Sequence, residues 1–229
     1  MNDTVSEKLA EGIIKLNGIS TPVISDAMAK GLSVPLKHQA MEAAVKPVRE
    51  RFTVCGPAYT VRCYPGATYA MEKAVAEAPA ETVIVCDGQG STAGVMMGGL
   101  MSTFAQQRGI LGAVVDGSVR DIDDIDALNF PVFSRFITPR CGTADPLGDV
   151  EQPISCGGVV VQPGDIVAGD MHGVVVVPQG IIEAVATAAV ALAKWESQVK
   201  EKIMNGMSLE AAAGSCEKPE IQQISLNGT

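Results

Sequence analysis

Residues Thr82 to Asp124 read TVIVCDGQGSTAGVMMGGLMSTFAQQRGILGAVVDGSVRDIDD, and this one stretch leaves the chain few architectures to choose from. Thr82 to Cys86 is a short β-branched run stopped by Asp87-Gly88, the pattern of a strand buried on both faces. Ala113 to Val115 is a second such run, closed by Asp116-Gly117, and Leu100 to Arg108 between them has helical composition. A strand, a helix and a strand in so short a span predict a parallel pair with a right-handed crossover. Ligands of such units collect at the carboxyl ends of the strands, where both the glycine-rich turn and the pair Arg120-Asp121 fall.

The chemistry available there follows from the residue types. Gly88, Gly90, Gly94, Gly98 and Gly99 let the backbone turn tightly and approach a ligand, and the helix that follows presents unpaired N–H groups to a carboxylate or phosphate. Arg120 offers a bidentate fork for a carboxylate or an enolate oxygen, and Asp121 offers a hard oxygen ligand suited to Mg²⁺ or Mn²⁺. The same composition also fits a surface Arg-Asp pair beside glycines that serve only the turn.

The run GGLMSTFAQQRGILGAVVDGSVRD, with the later SCGGVVVQPGDIVAGDMHGVVVVP, resembles the RraA-like proteins, which include metal-dependent class II pyruvate aldolases cleaving 4-hydroxy-4-methyl-2-oxoglutarate. The resemblance covers roughly Ile24 to Gly206. It implies that Arg120 holds pyruvate, that Asp121 binds the divalent metal, and that the backbone at the helix start, Gly98 to Met101 with the amides of Leu100 and Met101, takes the substrate carboxylate. It also implies a glutamate from a neighbouring subunit's C-terminal helix, by position Glu196, with Glu201 close by as the alternative. In one place the chain departs from the pattern: the aldolases carry an acidic residue where this sequence has Gly99. That departure suggests weak aldol cleavage beside measurable decarboxylation, and cleavage improved by Gly99→Asp.

The whole sequence narrows the function classes. With 17 basic against 26 acidic residues and a formal net charge of −9, no clustered Lys and Arg surface is available for nucleic acid. No apolar run approaches the roughly 20 residues that span a bilayer and no basic, apolar leader opens the chain, so a cytoplasmic protein is expected. Cys55, Cys63, Cys86, Cys141, Cys156 and Cys216 form no Cys-x-x-Cys pair, which argues against a zinc knuckle or a dithiol site and for buried thiols. With His38 and His172 as the only histidines, a His-rich metal site is excluded.

Around the central unit, helical spacing predicts helices over Thr4 to Leu16 and from Ser20 to Gly31, then a loop from Lys37 to Arg51. Phe52 to Tyr64 reads as strands broken at Gly56-Pro57, followed by a helix through Tyr69 to Ala78. Ile122 to Leu128 suggests a short helix, Phe130 to Phe136 a strand, and Thr138 to Pro153 a loop in which Arg140 is solvated or borders the site. Ile154 to Pro178 reads as strands forming a second sheet layer, with turns at Pro163-Gly164-Asp165 and Asp170-Met171-His172-Gly173. Gly180 to Met204 is one long helix, apolar early and charged from Lys194 onward, which suits a subunit contact.

The expected fold is α/β, a swivelling β/β/α sandwich with N-terminal helices and an extended C-terminal helix. It is expected to be a single domain over residues 1–206 with a loosely ordered tail, 207–229, assembled by resemblance as a homotrimer or homohexamer. The expected reaction turns a small 2-oxo acid, a 4-hydroxy-2-oxo acid or oxaloacetate, into a pyruvate enolate with Mg²⁺ or Mn²⁺. Two rivals stand beside it. Gly88-x-Gly90-x-x-x-Gly94 mimics a dinucleotide fingerprint, one residue too long for its usual form. Some RraA-like proteins, besides, are non-enzymatic regulators that inhibit an RNA-degrading enzyme.

Overall fold

The computed structural model describes residues 3–31 and 39–220. His38 and the ends of the expected loop and tail, residues 37–38 and 221–229, lie outside them. In chain order the elements are α1 (Asp3–Leu16), α2 (Thr21–Gly31), β1 (Lys46–Pro47), β2 (Val54–Arg62), α3 (Tyr69–Glu77), β3 (Val83–Asp87), β4 (Val95–Met97) and α4 (Gly99–Gln107). Then come β5 (Gly112–Val119), α5 (Ile122–Leu128), β6 (Val132–Ile137), β7 (Asp149–Val150), β8 (Ile154–Cys156), β9 (Val159–Val161), β10 (Ile166–Asp170) and β11 (Gly173–Val177). A single 3₁₀ turn leads into α6 (Ile182–Met204), and α7 (Leu209–Gly214) follows. The residues fall into two compact units, one holding every strand with α3, α4 and α5, the other holding α1, α2, α6 and α7.

In the sheet unit the strands run in the order β1-β6-β5-β3-β2-β10-β11. β2, β3, β5 and β6 are mutually parallel, as the strand-helix-strand pattern requires. β10 pairs antiparallel with β2 and β11 with β10, while β1 closes the far edge antiparallel to β6. A bridge from Ala40 to Val175 brings the segment before β1 onto the opposite edge strand, so the sheet is nearly closed. Alternation along the buried strands sorts two cores. Ile84, Cys86, Ala113 and Val115 face Ala70, Met71, Ala74, Ala105 and Ile125 of the helices. Val83, Val85 and Val114 face the other way, onto Val167, Val174, Val176 and the β8–β9 hairpin. Because both faces are covered, the strands read as unbroken apolar runs. The swivelling β/β/α arrangement is thus present, with N-terminal helices and a 23-residue C-terminal helix.

Five details differ from the sequence expectation. Gly56-Pro57 does not break β2, because Gly56 is there to admit Leu111: a Cβ at 56 would stand 2.7 Å from the Leu111 side chain. Asp116-Gly117 does not end β5; the strand passes through them with a shift of register, and the Asp116 carboxylate is neutralised by Arg135 and by the Gly157 N–H at 2.7 Å. Val95–Met97, read as part of the glycine turn, is a short strand parallel to β5. Residues 166–177 do not make a separate sheet but extend the main one through β2, leaving only β8–β9 as a second sheet. Beyond Gly206 the chain is not loose at once: Ser208 caps α7 through the Ala211 N–H, and Lys202 donates to Ser215 at 2.8 Å.

In the helical unit α6 packs on α1, α2 and α7. Gly12 of α1 permits the close approach, since a Cβ there would meet Ile182 at 2.6 Å. Leu16, Ile24, Ala27, Met28, Val185, Ala189 and Leu192 are buried, the spacing expected of amphipathic helices. Among the described residues no helix is long and apolar enough to cross a membrane.

Candidate functional site

The site is built where β4 and β5 end side by side. Gly98 leaves β4 in extended conformation and acts as N-cap of α4, with no side chain to cap it. The Arg120 N–H donates to the Met97 carbonyl at 3.2 Å, fixing the residue after β5 against the residue before that cap. Asp121 then turns into α5 in the left-handed region, φ 57° and ψ 44°, a conformation that costs an unsupported aspartate on the order of 1 kcal/mol. Its carboxylate supplies the missing cap: Oδ2 accepts from the Gly99 N–H at 3.0 Å and lies 3.4 Å from Arg120 Nε.

This arrangement leaves specific groups available. Helix geometry gives the first-turn N–H groups of Leu100 and Met101 no acceptor within α4. The Nη groups of Arg120 and the Oδ1 oxygen of Asp121 have no protein partner among the described residues. An open cleft of about 590 Å³ is lined by Arg120 to Asp124 together with Ile137, Thr138 and Pro139. No three His, Cys, Asp or Glu side chains form a ready metal cage among the described residues. A small hard cation that keeps several waters and binds through one or two carboxylates still fits Asp121, with a second carboxylate, Asp124, in the same lining.

The glycines divide by what they touch. Gly98 and Gly99 are at the site: a Cβ at 98 would lie 2.6 Å from Asp121 Oδ2, and one at 99 would lie 2.7 Å from Asp124 Oδ2. Gly88 and Gly94 serve packing instead, against Met96 and against the Cys141 carbonyl. The run from Gly88 to Gly94 leads into β4 and not into a helix, so it lacks the strand-to-helix turn of a dinucleotide site. Arg140 is held by the Thr92 carbonyl at 3.0 Å and does not line the cleft. His172 sits in an exposed turn closed by its N–H on Asp170.

Burial acts on other titratable groups without bringing them into the cleft. It pushes the Asp87 carboxyl up, helped by nearby Asp116, and it pushes the Cys55 thiol up to about 11. Cys86 and Cys156 are also raised, Cys86 chiefly through its contact with Cys63 and Cys156 through burial, so none of these thiols is an activated nucleophile. On α6, Glu196 pairs with Lys200 at 3.5 Å, while Glu201 borders a separate hollow with Trp195 and Lys202 inside the helical unit. Of the residues now at the cleft, Asp124 was not singled out from sequence; the Asp-x-x-Asp spacing that puts it one helical turn after Asp121 was the available signal.

A family model described as RraA-like: Aldolase/RraA matches residues 21–176. This chain belongs to the RraA-like family. A Halalkalibacterium halodurans protein named "Putative 4-hydroxy-4-methyl-2-oxoglutarate aldolase" is 39% identical to it over 176 residues, 77% of this chain and 80% of that protein. A crystal structure of an uncharacterized protein from Pseudomonas syringae pv. tomato superposes with a TM-score of 0.80 at 29% identity, covering 90% of this chain and 94% of that one. The structure titled as the RNA-processing inhibitor RraA from Thermus thermophilis matches at a TM-score of 0.57 and 27% identity, over 61% of this chain and 84% of that one. The RraA-like family match includes the whole stretch from β2 through β10 that positions Arg120 and Asp121.

Proposed function

We propose that this RraA-like protein is a divalent-metal-dependent lyase that forms a pyruvate enolate from a 4-hydroxy-2-oxo acid or from oxaloacetate. The observation that carries this reading is the seating of Asp121: its Oδ2 accepts from the Gly99 N–H at the start of α4 and lies 3.4 Å from Arg120 Nε, so carboxylate, guanidinium and the first amides of α4 share one strand end. A cation site, a carboxylate site and an oxyanion site thus share one strand end. The aldolase name of the Halalkalibacterium relative points to the same chemistry. Mg²⁺ or Mn²⁺, when bound by Asp121, supplies a Lewis acid for the 2-oxo group.

The chain's own groups account for the rest. The N–H groups of Leu100 and Met101, at the positive end of α4, receive the substrate carboxylate. Arg120 places its Nη groups on the 2-oxo oxygen, where negative charge grows as the C3–C4 bond breaks. In aldol cleavage the 4-hydroxyl gives up its proton, C4 leaves as a carbonyl and the bond electrons form the enolate; in decarboxylation C4 leaves as CO₂ and the same enolate results. Protonation at C3 then gives pyruvate. We place Glu196 of a neighbouring copy at this cleft in a homotrimer or homohexamer, with Glu201 as the alternative. The absence of disulfides among its six cysteines suits a cytoplasmic setting.

The Thermus relative's title favours a second reading, a non-enzymatic regulator that binds a partner enzyme. Turnover of oxaloacetate and of 4-hydroxy-4-methyl-2-oxoglutarate, with Mg²⁺ or Mn²⁺ and again after chelation, separates the two. Metal-dependent turnover lost in Asp121→Asn is expected. Turnover unchanged by the chelator overturns the role of the metal, and no turnover of either acid favours the regulator.

A further inference from the structure

We propose that Gln106, near the far end of α4, is a positioning residue for this cleft: it holds α5 in register against α4 and thereby keeps the Asp121 carboxylate on the Gly99 N–H. The proposal rests on the reading of Asp121 as the residue that binds the cation. Gln106 Nε2 donates to the Leu128 carbonyl at 2.6 Å, and the Gly99 N–H donates to Asp121 Oδ2 at 3.0 Å. Each bond joins residues 22 apart in sequence, one at the starts of the two helices and one at their ends, so α4 and α5 run parallel and are clamped twice. At a rise of about 1.5 Å per residue the clamps stand about 10 Å apart. Between them Ala105 and Ile125 are fully buried, with Met101, Ile122 and Leu128 packed against the same core.

The register matters because α5 is too short to place itself. Its 7 residues are far below the length at which a helix is stable by its own hydrogen bonds, and Asp121 opens it at φ 57° and ψ 44°, a conformation that persists only where the surroundings hold it. The last carbonyls of α5 need donors from elsewhere. Arg51 Nη2 serves the Asp126 carbonyl at 3.0 Å, and Gln106 serves that of Leu128. The two donors do different work. Arg51, with Arg49 on the Asp126 carboxylate at 3.0 Å, ties α5 to the segment between β1 and β2. Gln106 ties α5 to α4, the helix whose first N–H the Asp121 carboxylate caps. Without its amide, α5 keeps both arginine anchors and loses the hydrogen bond that fixes its far end on α4.

Amide hydrogen exchange at Gly99 in the full-length protein reads the front clamp directly and needs no turnover. Gln106→Met keeps the bulk and removes the donor. Exchange at Gly99 is expected to quicken by about threefold or more, and kcat/KM on oxaloacetate to fall by a similar factor, the scale of one lost hydrogen bond. Gln106→Lys returns a donor to the Leu128 carbonyl at the negative end of α5, and is expected to stay within about twofold of the parent in both measurements. Arg51→Gln loosens α5 from its other side, so it is expected to lower the Tm while Gly99 exchanges as in the parent. Parent-like Gly99 exchange in Gln106→Met overturns the proposal, as does a Gln106→Lys variant no better than Gln106→Met. Equal quickening by Arg51→Gln also overturns it, since a general loosening of α5 then explains both. Faster exchange in Gln106→Met with kcat/KM unchanged removes the clamp from the reaction and overturns the positioning role. A parent that turns over neither acid sinks the lyase reading instead, and Gly99 exchange still decides whether Gln106 holds Asp121 in place.

Discussion

Asp121 Oδ2 and the Gly99 backbone N–H are 3.0 Å apart, so an aspartate two residues past β5 caps the helix that follows β4. The bond joins two ends of a parallel strand pair and locks the carboxylate at the cleft lined by Arg120 to Asp124, where the proposed function puts the cation and the substrate. Gly98 makes it possible, because any larger residue would press on Asp121 Oδ2 from 2.6 Å.

Gly98→Ala is accordingly expected to lower kcat/KM by about tenfold or more, about 1.4 kcal/mol of transition-state stabilisation, through displacement of Asp121. Gly180→Ala, at a position with open space around the added methyl, is the matched control and is expected to keep parent kinetics. Steady-state kinetics of both variants on oxaloacetate decide it; parent-like Gly98→Ala would mean that Asp121 can shift without loss.

Arg120→Lys retains the positive charge and removes the fork. A point charge cannot reproduce two parallel N–H bonds to the 2-oxo acid, so kcat/KM is expected to fall about tenfold or more, again about 1.4 kcal/mol. Kinetics within twofold of the parent would reduce Arg120 to the partner of Asp121 seen at 3.4 Å.

Gly99→Asp is expected to be harmful, the reverse of what the sequence alone suggests. Its Cβ would meet the Asp124 carboxylate at 2.7 Å and add a third negative charge beside Asp121 and Asp124. Thermal unfolding should shift down and aldol cleavage should not improve; a variant with selectively faster cleavage would show that the site lacks a carboxylate that Asp124 does not replace.

For Glu196 the expected outcome is complementation. Glu196→Ala and Arg120→Ala are each expected to be inactive, and mixed oligomers of the two should regain activity at sites that combine the intact residue of each. If mixed oligomers form and stay inactive, the shared site is wrong, and repeating the mix with Glu201→Ala tests the alternative.

Asp165 gives a pH dependence with a definite sign. Burial raises its carboxyl above the usual value, although the N–H groups of Gln162 and Gln179 oppose the shift at 2.9 and 3.0 Å. An acid whose folded pKa is raised contributes stability fully below the unfolded value of 3.8 and loses it as pH rises through the folded value. Asp165→Asn does not titrate, so its Tm relative to the parent should improve as pH rises from about 3.8 through the raised folded value. A difference that stays constant or moves the other way would show that the two backbone hydrogen bonds outweigh burial.

The central unit was legible because its signals are local: β-branched runs, a glycine boundary and an Arg-Asp pair fix two parallel strands and the end at which a ligand must sit. The breaks expected at Gly56-Pro57 and Asp116-Gly117 were not real, since a glycine that admits Leu111 and an aspartate neutralised by Arg135 look the same in sequence as residues that end a strand. The strand of Val95–Met97 was hidden for a related reason, because three residues are too few to show a period.

By itself the sequence determined the alternation that buries both faces of the strands, the helical spacing of α1, α2 and α6, and the presence of Arg120 and Asp121 at one strand end. Only the tertiary structure decided which glycines belong to the site and which acid stands beside Gly99. Gly88 and Gly99 are identical as letters, yet one makes room for Met96 and the other for Asp124. A missing Cβ has meaning only through the atoms that occupy its place, and those come from another element of the fold.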